Sequence, residues 1–425
     1  MNKVLIIAYY FPPMGMGGVQ RTLKFAKYLK DFNWQPVVLT DSPKKYFAVD
    51  NSLLQEALEN GIIIERTGAK DFDPSKIIVK APNEKMRKLR STVSQFFFIP
   101  DSKIGWKKKA LKKIDEIWSK YGGFDLVFAT APPYTDFLIG QEVKRKYKIP
   151  LVIDYRDAWV DSPVLNSYPT PYHKLKNMRL EKGVLHNANK VITTNRRVKE
   201  YIISRYGNIE YNDIKIITHG FDSEDFEKAA HSELPVTTKF RVSYSGSFYT
   251  RNPKFYFEAI KTFVDKYPEL KDKVEFCFIG TFSKENLQIA KNLGIEPYLN
   301  ITGYLEHVDC VKYVMASDVL FLMISRGENE DAAMPGKVGE YIGSKKNIIA
   351  CIPEGVTKKM LEKYNAIKFI NEENPAEIAN AIKEYYDAKQ SHTLPVANED
   401  MLSEYERRNL TYELAKEFNL LKDID

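Results

Sequence analysis

The chain has 425 residues, 44% of them hydrophobic and 28% charged. That is too long for one ordinary core and predicts two or three soluble domains. Three scattered cysteines, Cys277, Cys310 and Cys351, exclude a disulfide framework or a zinc motif and fit reduced thiols in the cytoplasm. The formal charge of +7 is modest, and no apolar run approaches the roughly 20 residues that span a bilayer.

The first predicted element is "KVLIIAY" (3–9), a short apolar run of the kind buried on both faces of a parallel sheet. It has a basic residue before an apolar stretch, as a signal peptide does, but runs into Pro12 and Pro13 without a small-residue cleavage site. Gly15, Gly17 and Gly18 follow, then Leu23, Phe25, Ala26 and Leu29 at helical spacing, then a second strand, "PVVLT" (36–40). Strand, glycine turn, helix and strand make a βαβ unit, and the helix start behind the glycines is a natural anion site. The other reading of the glycines is a tight turn alone.

Between residues 80 and 121 twelve basic residues face four acidic ones, with "FFFIP" (96–100), Trp106 and Trp118 among them. The run reads either as a solvated helix face or as a patch for an anionic partner, such as a membrane surface. No recognised module supports nucleic acid. "DLVFATAPPY" (125–134), "LVIDYRDAW" (151–159), "KVITTN" (190–195) and "IKIITHGFD" (214–222) continue the strands, with helical stretches between them. This alternation predicts a doubly wound parallel sheet whose ligand edge lies beyond the strand carboxyl ends. The glycine loop, Thr130 in "TAPP", Asp154, Arg156 and Asp157 in "DYRD", and "THGFD" should converge there.

The predicted organisation is a first domain over 1–222, a polar linker over 223–239, a second α/β domain over 240–390 and a helical segment over 391–425. The second series of strands includes "FRVSYSGSF" (240–248), "VEFCFIG" (274–280), "DVLFLMI" (318–324) and "NIIACI" (347–352). Two such domains facing each other predict a ligand cleft. The interior Asp-x-Asp, "DFD" (71–73), sits among polar residues beside Pro74 and reads as a loop rather than a metal site.

"PPMGMGGVQR", "IPDSKIGW", "TAPPYTDFLIG", "IPLVIDYRDAW", "THGFD", "YSGSFYTRNP", "ITGYLEHVD", "MPGKVGEYIGSKKNIIA" and "YERRNLTYELA" occur in this order over nearly the whole chain. In this the sequence resembles family-4 glycosyltransferases of the GT-B fold, above all those of bacterial exopolysaccharide and cell-surface glycan synthesis. The resemblance implies two Rossmann-like domains. It implies transfer of a sugar from a nucleotide-diphosphate donor to a glycan or lipid-linked acceptor, with retention and without a metal or other cofactor. It places the acceptor on the first domain and the donor on the second, with Gly15, Gly17 and Gly18 reaching the donor phosphates. It also implies a cytoplasmic enzyme, peripheral at the inner face of the membrane where the acceptor is lipid-linked.

The leaving diphosphate needs its new charge met, and fixed cations can do this. Arg251 and Lys254, beyond the glycine turn of the second domain's first strand, and Lys337, near a helix start, are the candidates. Glu340 follows Lys337 by three and shares its helix face. By the resemblance it accepts hydrogen bonds from the ribose. Where family members often carry a first glutamate, this sequence has Ala332, with Glu328 and Glu330 out of register. That opens a second reading, a sugar-nucleotide-binding or scaffold protein without catalysis. Asp154, Arg156 and Asp157 either orient an acceptor hydroxyl, with one of the two aspartates as its base, or form a structural ion pair at the strand end. Arg156 and Thr130 line the same edge, and His219 beside Gly220 reads as a turn residue. A nicotinamide dehydrogenase is disfavoured, because Gln20 stands where the third glycine of the dinucleotide fingerprint belongs.

Overall fold

The computed structural model describes residues 1–42, 45–68, 72–79, 93–161, 168–248, 253–324, 329–370 and 374–422. The chain forms two compact units, one of residues 1–219 with 407–425, the other of residues 220–406.

In the first unit the strands are β1 (Asn2–Ile7), β2 (Trp34–Asp41), β3 (Lys45–Tyr46), β4 (Ile63–Thr67), β5 (Ile78–Val79), β6 (Leu126–Ala131), β7 (Leu151–Tyr155), β8 (Lys190–Thr193) and β9 (Ile214–Ile216). Seven of them make one parallel sheet in the order β4-β2-β1-β6-β7-β8-β9, and β3 pairs with β5 separately. The apolar strands are covered on both faces: Val4, Leu5, Ile6 and Ile7 are fully buried, as are all six residues of β6. Strand order reverses between β1 and β6, so the loops after these two strands part in opposite directions. A crevice at that point is where doubly wound sheets take ligands. The helix Arg407–Lys422 completes this unit's core. Its Phe418 ring lies 5.3 Å from Trp34 and 5.6 Å from Phe128, and Asn419 accepts the Trp34 indole N–H at 2.9 Å.

The second unit carries β10 (Phe240–Ser245), β11 (Val274–Ile279), β12 (Leu299–Gly303), β13 (Val319–Met323), β14 (Asn347–Cys351) and β15 (Ile367–Phe369). They form a parallel sheet in the order β12-β11-β10-β13-β14-β15. Its core is aromatic: Tyr256 stacks on Phe321 at 3.7 Å, and Phe248, Phe257 and Phe282 gather around Phe278. Both units are Rossmann-like.

The stretch 223–239 holds a helix, Ser223–Ala230, whose N-cap Asp222 accepts the Glu224 N–H. Its polar composition hides the helix from periodicity, because only Ala229 is buried. Residues 391–406 also belong to the second unit, with Phe221 N–H donating to the Tyr405 carbonyl at 3.0 Å. Asp73 caps the short helical turn Pro74–Lys76, while Asp71 lies outside the described residues.

Candidate functional site

In the first unit the helix Gly17–Tyr28 starts beyond β1. Gly17 and Gly18 are exposed at its amino end, whereas Gly15 is buried and donates its N–H to Ala48 O at 3.0 Å. The positive φ in this loop belongs to Met16 (φ 82°, ψ 155°). That region is nearly closed to residues other than glycine and stores about 1–3 kcal/mol of strain. A Cβ on Gly17 would meet nothing within 4 Å, while one on Gly18 would lie 3.3 Å from Arg156 Nη1. The close approach at Gly18 is therefore to an arginine of the same unit.

Arg156 is the clamp of this edge. Its guanidinium donates to the carbonyls of Gly18, Ala131 and Pro132, tying the glycine turn to the "TAPP" loop. Expected on the ligand, Arg156 is instead buried and spent on the backbone. Asp154 requires a similar correction as a catalytic acid or base. It is fully buried, with Arg21 forked onto it (Nη2–Oδ1 2.7 Å, Nε–Oδ2 3.1 Å) and the Thr130 hydroxyl donating at 2.9 Å. Arg21 also donates to the carbonyls of Ile217 and Thr218 at 2.9 and 2.8 Å. Thr130 thus supports Asp154 and does not line the edge. This network joins the first helix to β6, β7 and the loop after β9.

Asp157 differs. It is exposed, yet the protein around it raises its carboxyl above the usual range, with Arg156 opposing. An exposed carboxylate at this edge can reach an acceptor hydroxyl and take its proton. His219 is held well below its normal range by burial and by the positive charges of Arg21, Arg407 and Arg156, so its imidazole is neutral.

Sequence reading missed several polar groups here. Arg21, Lys24 and Lys27 look like the wet side of a helix, but all three are buried, and the two lysines pair with Glu56 at 2.7 and 3.3 Å. Asp101 of "IPDSKIGW" accepts from the Thr135 N–H and hydroxyl, both at 2.9 Å, and so fixes the start of the helix Thr135–Tyr147. Asp136 in that first turn accepts the Tyr9 N–H at 2.9 Å, and burial and Asp101 push its carboxyl far up. Trp106, expected in an exposed basic and aromatic patch, is buried and donates to Thr67 Oγ1 at 2.8 Å. Lys107 and Lys113 of that patch pair with Glu142 and Glu65 at 3.2 and 3.0 Å.

In the second unit β10 ends in a glycine turn, with Gly246 at φ 97°. Lys337, first residue of the helix Lys337–Gly343, donates to the Ser245 carbonyl and sits 3.7 Å over the Tyr244 ring. A Cβ on Gly246 would lie 3.4 Å from Lys337 Nζ. The helix needs its own glycine to pack, since a Cβ on Gly339 would come within 2.6 Å of the Gly220 backbone.

One turn along, Glu340 Oε1 lies 3.7 Å from His307 Nδ1, and His307 Nε2 lies 3.0 Å from Asp225 Oδ2. His307 thus stands between two carboxylates, each about five-sixths buried (14% and 16% exposed). It belongs to "ITGYLEHVD", a motif quoted above without a role for the histidine. Lys254 is more peripheral: its side chain is 62% exposed and 3.5 Å from Glu258. Arg251 lies outside the described residues, as does Glu328, and Ala332 is buried in a short turn, Glu330–Ala332. The structure therefore brings Lys337 to the glycine turn and Glu340 to His307, all within the second unit.

Residues 16–225 match the sequence profile of Glycosyltransferase Family 4. None of the curated proteins matches the sequence. Among solved structures, the chain is similar to the HepE protein of Anabaena in complex with UDP-glucose, at 15% identity and a TM-score of 0.63, covering 98% of this chain and 99% of that one. Sucrose-phosphate synthase from Thermosynechococcus elongatus gives 13% identity and a TM-score of 0.65, covering all of both chains. An E. coli trehalose-6-phosphate protein bound with UDP-2-fluoro glucose gives 10% and 0.60, covering 100% and 98%. At such identities the likeness establishes the fold, which is GT-B.

Proposed function

We propose that the chain is a glycosyltransferase of family 4, whose profile residues 16–225 match, and that it moves a sugar from a nucleotide-diphosphate donor to a glycan or lipid-linked acceptor in cell-surface polysaccharide synthesis. Transfer proceeds with retention and without a metal ion. The observation that carries the reading is Lys337 at the Gly246 turn with Glu340 one helical turn beyond. That pairing offers a fixed cation for the leaving diphosphate and a carboxylate for the ribose hydroxyls. Arg251 supplies a second cation and Lys254 an outer one. On the first unit, the exposed Gly17 and Gly18 keep the helix start open to phosphate, with Gly15 anchoring the loop behind them, and Asp157 receives the acceptor hydroxyl's proton. Asp154, Thr130 and Arg156 hold this edge in shape.

The bound UDP-glucose and UDP-2-fluoro glucose of the fold relatives favour a uridine nucleotide in the donor. A thermal-shift screen against uridine, guanosine and adenosine diphosphates and their sugars tests this. A ligand at 100 times its dissociation constant stabilises by about 2.7 kcal/mol. A shift with one nucleotide class, undiminished by a chelator, is expected. No shift with any of them overturns the proposal. The buried Ala332 favours one second reading, donor binding without transfer. A shift with donor but neither hydrolysis nor transfer identifies it.

A further inference from the structure

The helix Pro171–Asn187 turns one face inward, at His173, Asn177, Glu181, Val184 and Leu185. The opposite face is formed by Tyr172, Leu175, Arg179 and Lys182, which recur at three- and four-residue spacing and are all exposed. Tyr172 is 64% exposed and Leu175 46%. Leaving two apolar side chains in water on an outward face gives the fold nothing.

These two residues stand beside a second apolar feature. His173 Nε2 donates to the Phe96 carbonyl at 2.9 Å, its Nδ1 accepts the Thr170 hydroxyl at 2.7 Å, and its ring lies 5.2 Å from the Phe96 ring. The buried histidine thus fastens residues 96–98 to the start of the helix. Phe96, Phe97 and Phe98 are exposed by 52%, 71% and 45%. Five large apolar side chains are therefore displayed at one place.

The exposed charges of this helix have one sign. Lys174, Lys176, Arg179 and Lys182 of the helix are exposed, and its single acidic residue, Glu181, is buried. No helix of the described residues is long and apolar enough to cross a membrane. Aromatic and leucine side chains beside a cationic helix face without exposed acids form the pattern that seats a protein on an anionic bilayer, rings in the interface and cations at the phosphates.

We infer that Phe96, Phe97, Phe98, Tyr172 and Leu175, with Lys174, Lys176, Arg179 and Lys182, form a surface that docks the first unit on an anionic lipid bilayer. The surface keeps the phenylalanines of "FFFIP" from the basic run but takes its cations from the helix Pro171–Asn187, since Trp106 is buried and Lys107 and Lys113 are paired. It deepens the proposed function by making the acceptor one presented at a membrane. It does not rest on the donor chemistry, because docking is read without transfer.

The test is flotation of the purified full chain with phosphatidylcholine vesicles, with and without phosphatidylglycerol. Recovery with anionic vesicles only is expected, lost at about 0.5 M salt where screening is nearly complete. Phe97→Asp should lower partitioning at least about tenfold, from the burial of one large aromatic. Arg179→Glu with Lys182→Glu should lower it by a similar factor. Both variants alter exposed residues, and circular dichroism checks their fold. The inference is overturned if the parent chain does not float with anionic vesicles, or if folded variants float as the parent does. It is also overturned if Phe97→Asp converts a dimer to a monomer in a chain that binds no vesicles, which would make the patch a self-interface.

Discussion

Glu181 offers a quantitative test of the first unit's structure. Its carboxyl is 3% exposed, accepts the Tyr206 hydroxyl at 2.8 Å, and is pushed up to about 7 from an ordinary 4.5, chiefly by burial, with Asp161 adding and Arg205 opposing. The folded protein therefore keeps this proton up to about pH 7, while the unfolded chain loses it near pH 4.5. Between these values the unfolded state binds fewer protons, so stability falls as pH rises, by about 1.4 kcal/mol per pH unit. The loss totals about 3 kcal/mol and is complete above pH 7. Glu181→Gln keeps an acceptor for Tyr206 and removes the titration. Its stability relative to the parent should improve by about 3 kcal/mol between pH 4.5 and 8, or roughly 6–12 °C in the melting of a unit this size. Scanning calorimetry of both proteins across that range reads the difference directly. Parallel pH profiles would show that Glu181 does not titrate in the folded state near neutrality, and the reasoning from its burial would fail.

The two aspartates of "DYRD" should separate. Asp154→Asn breaks a buried, forked pair and should cost about 3–5 kcal/mol in urea unfolding, whereas Asp157→Asn should leave the fold intact, relieve an unfavourable charge and reduce turnover. Gly17→Val places a branched side chain where the protein leaves open space, so calorimetry should find an unchanged fold while donor titrations find weakened binding. In the second unit, Lys337→Ala should lower turnover by about ten- to over a hundredfold, the worth of a charged hydrogen bond, and Arg251→Ala should act likewise. Glu340→Gln should chiefly raise the donor dissociation constant, because the ribose is held alike before and during transfer. His307→Asn should reproduce part of the Glu340→Gln effect on donor binding, and equal affinity with and without the imidazole would detach His307 from the site.

The parallel sheets were legible because their strands are buried on both faces, so "KVLIIAY" and "DVLFLMI" show as continuous apolar runs. The edge that gathers the loops followed from that topology. The network on that edge did not. Arg21 and Asp154 are 133 positions apart, and nothing local distinguishes a buried arginine from a wet one at the same helical spacing. The glycines were read as an approach for an anion or as a tight turn, but Met16 carries the positive φ and Gly18 is pressed against Arg156. His307 lay in a quoted motif, yet its meaning depends on Asp225 and Glu340, which fall on two other helices.

The helix Arg407–Lys422 gives the chain a fixed order of completion. Residues 220–406 leave the ribosome before Leu410, Leu414, Ala415 and Phe418 exist to cover Trp34 and Phe128. The second unit can thus be whole while the first, although synthesised earlier, still exposes part of its apolar interior. During that interval the nascent amino-terminal half is the part most in need of a chaperone, and a chain truncated after Glu406 should hold a complete second unit together with a first unit whose apolar interior is still partly open.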